Sequence, residues 1–383
     1  MEKNNNSKVY FPNLNGLRFI AAFIVLVNHL HQSLYSIGYY GAKSLPIIFP
    51  GELGVRLFFV LSGFLITYLL LTEENNTGTI SIKDFYIRRI LRIWPLYYAL
   101  VLLAFFVLPN ISLLYIPELT AGYSRFYFLL YLLFLPNILH YYGVVVPYLS
   151  QTWSVGVEEQ FYLIWPILMK VFRKKIVLFF SVIIIYLGIK HIGFRFRFIE
   201  HFIGWNSALG IIKVFWYSFK ITAMAIGGIF AYILYKKSMI LKYINNNISF
   251  GIALILTFCI TIFIPQMPLG IEVYSILFGI IIINMAANKK FSKALENKIL
   301  NYLGKISYGI YMYHAIACVL CIRLFDYFGI LRHQSWFGMI LLLIMTLLIT
   351  VLIAGLSYRF MESKFISMKT KFSKIISGDN ATK

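Results

Sequence analysis

The residues best placed to do chemistry in this sequence are ionisable side chains lodged in apolar runs, where a charge is costly and marks function. Arg18 and His29 share one such run, 11 residues apart. On a helix that is about three turns, so both fall on one face, about 16 Å apart along the axis. An imidazole in that setting can serve as a general base. The structural alternative is an arginine that snorkels to head groups and a histidine satisfied by a neighbouring helix. Glu158 and Glu159 open a later apolar run, directly after Trp153 and Ser154. If that run enters from the outer side, Glu158 lies about 8 Å from its outer end, and His29 about 6 Å from the outer end of its own helix. The depths match. Glu158 or Glu159 is therefore expected to orient His29 and raise its basicity. Attraction of a carboxylate to a helix start accounts for one of the two more easily than for both.

The stretch from Tyr86 to Tyr98 is the sharpest local motif. Arg88 and Arg92 are i, i+4 neighbours, and Arg89 is i, i+3 to Arg92. Guanidinium groups grip phosphates through paired donors, so the trio is a candidate site for a phosphate-rich carrier; the alternative is an anchor on anionic lipid. Trp94 and Pro95 are expected to turn the chain into the membrane. Arg56 lies in the run Gly51 to Ile66, whose small residues permit close helix packing. It is expected to be buried and paired with Glu158 or Glu159, in a structural or a substrate role. Tyr311 and His314 are i, i+3 neighbours in another run, with His314 near mid-membrane. After the last run, Arg359 and Glu362 are expected to pair beside the Arg88 cluster. Cys259, Cys318 and Cys321 sit in apolar runs and read as packing residues; no metal site is expected.

These residues must be held by membrane helices. Hydrophobic residues make up 60% of the chain and charged ones 13%, against about 25% charged in a soluble domain. The expected fold is all-α, a polytopic membrane protein with about ten transmembrane helices. Apolar runs near the length needed to cross a bilayer fall at about 14–33, 51–72, 95–116, 153–172, 175–191, 218–236, 248–264, 269–287, 301–325 and 336–360. Ten spans place every basic cluster on the side of the N-terminus, so both termini are expected to be cytoplasmic. Segment 126–149, broken by Pro136, Gly143 and Pro147, is expected to be re-entrant or interfacial, since counting it as a crossing flips the later basic loops. The outer loop 192–217, with Arg195, Arg197, Glu200 and His201, either touches an acceptor or caps the interface. The domain layout is a tail at 1–10, a membrane domain at 11–365 and a tail at 366–383, with the extreme ends disordered. The first apolar run has no cleavage pattern and is expected to be retained. The net charge of +21 reads as positive-inside bias and lipid contact, with no nucleic acid as partner.

In combination these motifs resemble acyltransferase family 3. The resemblance rests on Asn15-Gly16-Leu17-Arg18 followed by His29, on Gly54 to Ile66, and on Arg88-Arg89 with Arg92, Pro95, Tyr97 and Tyr98. It continues through Trp153-Ser154, Glu158 to Tyr162, Ile306 to Tyr311, and Tyr358-Arg359 with Glu362, in order along residues 12–365. It implies an integral-membrane O-acyltransferase of the bacterial cytoplasmic membrane that modifies a surface polysaccharide or lipid-linked sugar. It implies acyl-CoA, usually acetyl-CoA, as co-substrate. Arg18 and His29 map onto the family's essential pair, and Arg88, Arg89 and Arg92 onto the contacts of the CoA phosphates. Some members carry an additional extracytoplasmic domain. The expectation here is a stand-alone membrane form, with final delivery by the membrane domain or by a separate polysaccharide-assembly protein. The rival class is a proton-coupled transporter or flippase, which also buries Arg, Glu and His.

Overall fold

The computed structural model describes residues 8–36, 50–116, 124–193, 208–264, 267, 269–333 and 336–377. Its helices are α1 (Leu14–Ser36), α2 (Gly51–Thr77), α3 (Ile82–Leu102), α4 (Arg125–Leu132), α5 (Pro136–Tyr141), α6 (Thr152–Val171), α7 (Lys175–Gly188) and α8 (Ala208–Ser218), followed by α9 (Ile221–Tyr235), α10 (Asn247–Phe263), α11 (Gly270–Ala287), α12 (Lys298–Lys305), α13 (Ser307–Tyr327), α14 (Trp336–Ser357) and α15 (Ser363–Met368). The fold is all-α apart from two-residue strands, β1 (Lys8–Val9) and β2 (Ile376–Ser377), which pair in parallel with Lys8 opposite Ile376. That pairing brings both ends of the chain to one end of the bundle. It also corrects the expectation of loose ends at residues 8 and 377.

A helix stands at each of the ten expected places, but the count of ten crossings is not reached. Among the described residues six helices are long and apolar enough to cross a membrane, or seven if the bent pair Ile212–Ser218 and Ile221–Tyr235 is one span. Length explains part of the shortfall. Helices α7 and α10 have 14 and 17 residues and reach about 21 and 26 Å, short of the roughly 30 Å hydrocarbon core. Helix α6 carries Glu158, Glu159 and Lys170. Segment 126–149 folds as α4 and α5, each too short to cross. The loop residues Arg195, Arg197, Glu200 and His201 lie outside the described residues.

Helix α2 is the centre of the bundle, packed by α1, α9 and α11. Small residues let it be central. A Cβ on Gly63 would fall 2.0 Å from the Met224 carbonyl oxygen, and one on Gly227 would fall 2.3 Å from that of Val60. Backbone thus meets backbone across α2 and α9, the approach that glycine permits in membrane helices. Helix α1 meets α2 the same way, with Gly54 against the Ala21 carbonyl.

Helix α3 differs from expectation at its start. It begins at Ile82, with Ser81 accepting from the Asp84 amide, and runs through Pro95 without a break. The chain therefore does not turn into the membrane at Trp94 and Pro95. The arginine trio lies within the helix.

Candidate active site

A cavity opens at the end of the bundle where the termini meet, walled by α1, α2, α3, α6 and α13. Its cations are Arg18, Arg89, Arg92 and Lys369, and its carboxylate is Glu158. Each is set by local structure. The start of α1 is clamped by Asn13, fully buried at φ 65°, a conformation asparagine tolerates. Its amide nitrogen donates to the Met285 and Phe291 carbonyls at 2.8 and 2.7 Å, and its side-chain oxygen accepts from the Leu295 amide at 2.7 Å. Arg18, one turn on, donates to Asn15 at 3.0 Å. The Arg89 guanidinium lies 5.4 Å from both the Phe85 and Tyr162 rings, and its buried Nε has no hydrogen bond. Glu158 accepts from the Tyr162 hydroxyl at 2.6 Å, and that hydroxyl also touches Ser62.

The arginine trio divides. Arg89 and Arg92, i, i+3 on α3, face the cavity. Arg88 turns to Glu73 at 3.0 Å and to the Phe372 carbonyl at 2.7 Å. Glu73 is 3% exposed and also accepts from the Ser81 amide, so Arg88 ties α2, α3 and the C-terminal segment together. Glu73 and Lys369 were missed by sequence reasoning. The adjacent pair Glu73-Glu74 closing an apolar run was a signal for the first. Lys369 sits in a lysine-rich stretch that reads as solvated.

The inner ceiling of the cavity is a hydroxyl pair. Ser154 and Tyr311, both 5% exposed or less, lie 2.6 Å apart. Directly behind Tyr311 is His314, fully buried, with ring centres 5.8 Å apart. His314 Nε2 is 2.7 Å from Nδ1 of His29. The partner of His29 is therefore His314, which corrects the expectation that Glu158 or Glu159 orients it. Glu158 faces the arginines, and Glu159 accepts from the Trp94 indole at 2.9 Å. The expected match in depth is not found: Glu158 lies with Arg18, Arg89 and Arg92 toward the end where the termini meet, and α13 brings its own imidazole to His29 on α1. His29 is not among the residues lining the cationic cavity.

Two other pairings also differ. Arg56 bonds Glu52, one turn before it, at 2.7 Å and lies over Tyr274 at 5.0 Å; it does not reach Glu158 or Glu159. Arg359 is exposed and lies over Phe360 at 5.6 Å, while buried Glu362 accepts from Ser357 at 3.1 Å. A widened helical turn at Tyr358–Glu362 separates the two side chains that ordinary spacing would bring together. Trp153 points away from Ser154, toward the opposite end of the bundle, where it stacks on His140 with rings 4.5 Å apart and 3° from parallel.

A profile of the acyltransferase domain of family 3 matches residues 11–355. The chain belongs to acyltransferase family 3. Among relatives of this family, the peptidoglycan O-acetyltransferase OatA of Listeria monocytogenes is 27% identical over 373 residues, covering 93% of this chain and 56% of its own length. The O-acetyltransferase OatA of Staphylococcus aureus is 28% identical over 378 residues, covering 92% of this chain and 57% of its own. The chain thus spans just over half the length of the curated relatives it matches. No solved structure matches it significantly. Nothing in these family 3 matches supports the transporter or flippase reading.

Proposed function

We propose that this chain is a membrane O-acyltransferase that moves a short acyl group from acyl-CoA to a hydroxyl of a cell-envelope carbohydrate. The observation that carries this reading is one line of side chains. It runs from the cations Arg18, Arg89, Arg92 and Lys369, past Glu158, to the Ser154–Tyr311 pair, and behind that to the His314–His29 pair. Four cations against one carboxylate suit an anionic ligand, and the phosphates of CoA meet paired guanidinium donors well. Acetyl is the acyl group that the relatives' names support; the saccharide is the acceptor class.

In the proposed reaction the phosphates rest on Arg89 and Arg92, and the thioester arm passes the Ser154–Tyr311 pair. Among the described residues Nε2 of His29 carries no hydrogen bond. With Nδ1–H donating to His314, that nitrogen takes the proton of the acceptor hydroxyl as its oxygen attacks the thioester carbonyl. The tetrahedral adduct expels the CoA thiolate, which recovers the proton from His29. In this scheme the cationic cavity opens to the cytoplasm, and both termini, which meet at that end, are read as cytoplasmic.

The test uses the purified full chain in lipid nanodiscs with radiolabelled acetyl-CoA and envelope glycans, read by mass spectrometry of the glycan. Acetylated glycan from the native protein, and none from a normally inserted His29→Ala protein, is the expected result. Full transfer by His29→Ala defeats the scheme, as does binding of acetyl-CoA without transfer to any glycan fraction.

A further inference from the structure

A second cavity lies on the far side of the bundle. It is separated from the first by one layer of side chains. Phe58 and Ser154 line the inner cavity, and their sequence neighbours Phe59 and Trp153 line the outer one. The outer cavity also holds Glu52, Arg56, His140 and Lys220. Its depth matches the histidine pair. A Cβ on Gly51 would touch the Asn28 side chain, so residues 51 and 52 lie level with residues 28 and 29. His140 is within electrostatic reach of His29.

Lys220 is the telling group. It sits where the chain bends by 43° between Ile212–Ser218 and Ile221–Tyr235. It is the residue before the first turn of α9, and no side chain caps that turn. Among the described residues Lys220 has no ion pair or hydrogen bond, whereas Arg56 is already held by Glu52. Arg56 and Lys190 add positive potential at Lys220, opposed by Glu52 and Glu272; Glu272 in turn accepts from Thr222. Cations therefore outnumber carboxylates. A broken membrane helix whose second half starts at a cavity, beside an unpaired lysine, is an arrangement that receives anionic groups. The flat face of the Trp153–His140 stack and the nearby Tyr141 ring suit the apolar face of a sugar ring.

We propose that this outer cavity is the acceptor site and that it takes a saccharide bearing a carboxylate or phosphate, with Lys220 as its counter-charge. This rests on the acyl-transfer reading for its biological meaning, but the binding it asserts is tested without any turnover. Methyl glucuronide, glucose 6-phosphate and methyl glucoside are titrated into the full chain in nanodiscs, and binding is read by saturation-transfer NMR. The two charged sugars are expected to bind about tenfold or more tightly than the neutral one, because a hydrogen bond to a charged group contributes about 1.5–3 kcal/mol. Preference for one charged sugar over the other tells carboxylate from phosphate. Lys220→Gln is expected to erase the charge preference, and Lys220→Arg to keep most of it. Equal binding of all three sugars, or an undiminished preference in Lys220→Gln, overturns the proposal. Charge-selective binding without acyl transfer to any glycan would sink the transferase reading and leave this site standing.

Discussion

Nδ1 of His29 lies 2.7 Å from Nε2 of His314, joining α1 to α13 through two imidazoles. A neutral imidazole has one donor and one acceptor nitrogen. In the proposed reaction Nδ1 of His29 is the donor to His314, which fixes the tautomer of His29 and leaves its other nitrogen as a base. His314 touches neither proposed substrate, so its part is to position. A hydrogen bond to a group that becomes charged contributes about 1.5–3 kcal/mol, or about ten- to a hundredfold in rate. His314→Leu is expected to lower kcat for acetyl transfer by that factor with little change in KM. His314→Gln, which returns an acceptor near the Nε2 position, is expected to restore much of it. Equal kcat for the Leu and Gln variants, at equal amounts of folded protein, would reduce His314 to a packing residue.

Arg88 and Arg92 are one turn apart, yet they should fail in different ways. Arg92 faces the cationic cavity, so Arg92→Ala is expected to raise the KM for acetyl-CoA about tenfold and to weaken the salt dependence of binding. Arg88 neutralises Glu73, which is 3% exposed. Removing one partner of a buried pair costs about 3–5 kcal/mol. Arg88→Ala is expected to unfold at a clearly lower temperature in a thiol-reactive thermal assay, and Arg88→Leu with Glu73→Leu to recover much of that loss. A larger effect on KM than on stability for Arg88→Ala would reverse the assignment.

The contact of α2 with α9 rests on the absence of side chains at Gly63 and Gly227. A Cβ at either position would meet a carbonyl of the other helix, which cannot rotate away. Overpacking a close contact costs about 1–3 kcal/mol. Gly63→Ala and Gly227→Ala are each expected to destabilise the detergent-solubilised protein by that amount, whereas Gly188→Ala, where an added Cβ meets nothing, should cost far less. Equal melting temperatures for all three would show that the two helices do not touch in the folded protein.

Much of this architecture was legible in the sequence. Helix positions follow from the length of apolar runs, and Arg18 is expected at the same end as Arg89 and Arg92; Glu158 is expected at the opposite end beside His29, and the fold instead places it among the arginines. Partnerships were less legible. Depth counted from an assumed helix end put Glu158 level with His29, but the fold sets Glu158 nearer the arginines, and the packing of α1 against α13 brings His314 to His29. The Glu52–Arg56 bond is an i, i+4 spacing on α2, and that local partner holds Arg56 away from the more distant Glu158 and Glu159. Lys369 and Lys220 were hidden for another reason. A lysine near a chain end or at a helix break looks solvated until the fold closes a cavity around it.

The Ser154–Tyr311 pair makes the last prediction. Both side chains line the cationic cavity, and His314 lies directly behind the tyrosine. In the proposed reaction the thioester that starts from the arginines passes this point on its way to His29. The proposed phosphate contacts, Arg89 and Arg92, lie on α3, a different helix. Ser154 is buried and its hydroxyl oxygen lies 2.6 Å from that of Tyr311 and 3.2 Å from the Gln151 carbonyl. Ser154→Leu fills the passage with an apolar side chain while leaving the arginines untouched. Misplacing the reacting group by about 1 Å can cost about a hundredfold in rate. Ser154→Leu is expected to lose acetyl transfer by at least about that factor, while the Kd for acetyl-CoA, measured by calorimetry in nanodiscs, stays within about twofold. Ser154→Thr, one methyl larger but still hydroxylated, should retain far more activity than Ser154→Leu. Transfer that survives Ser154→Leu would mean that the acyl group reaches the histidines by another route, and the proposed line from the guanidinium groups to His29 would have to be redrawn.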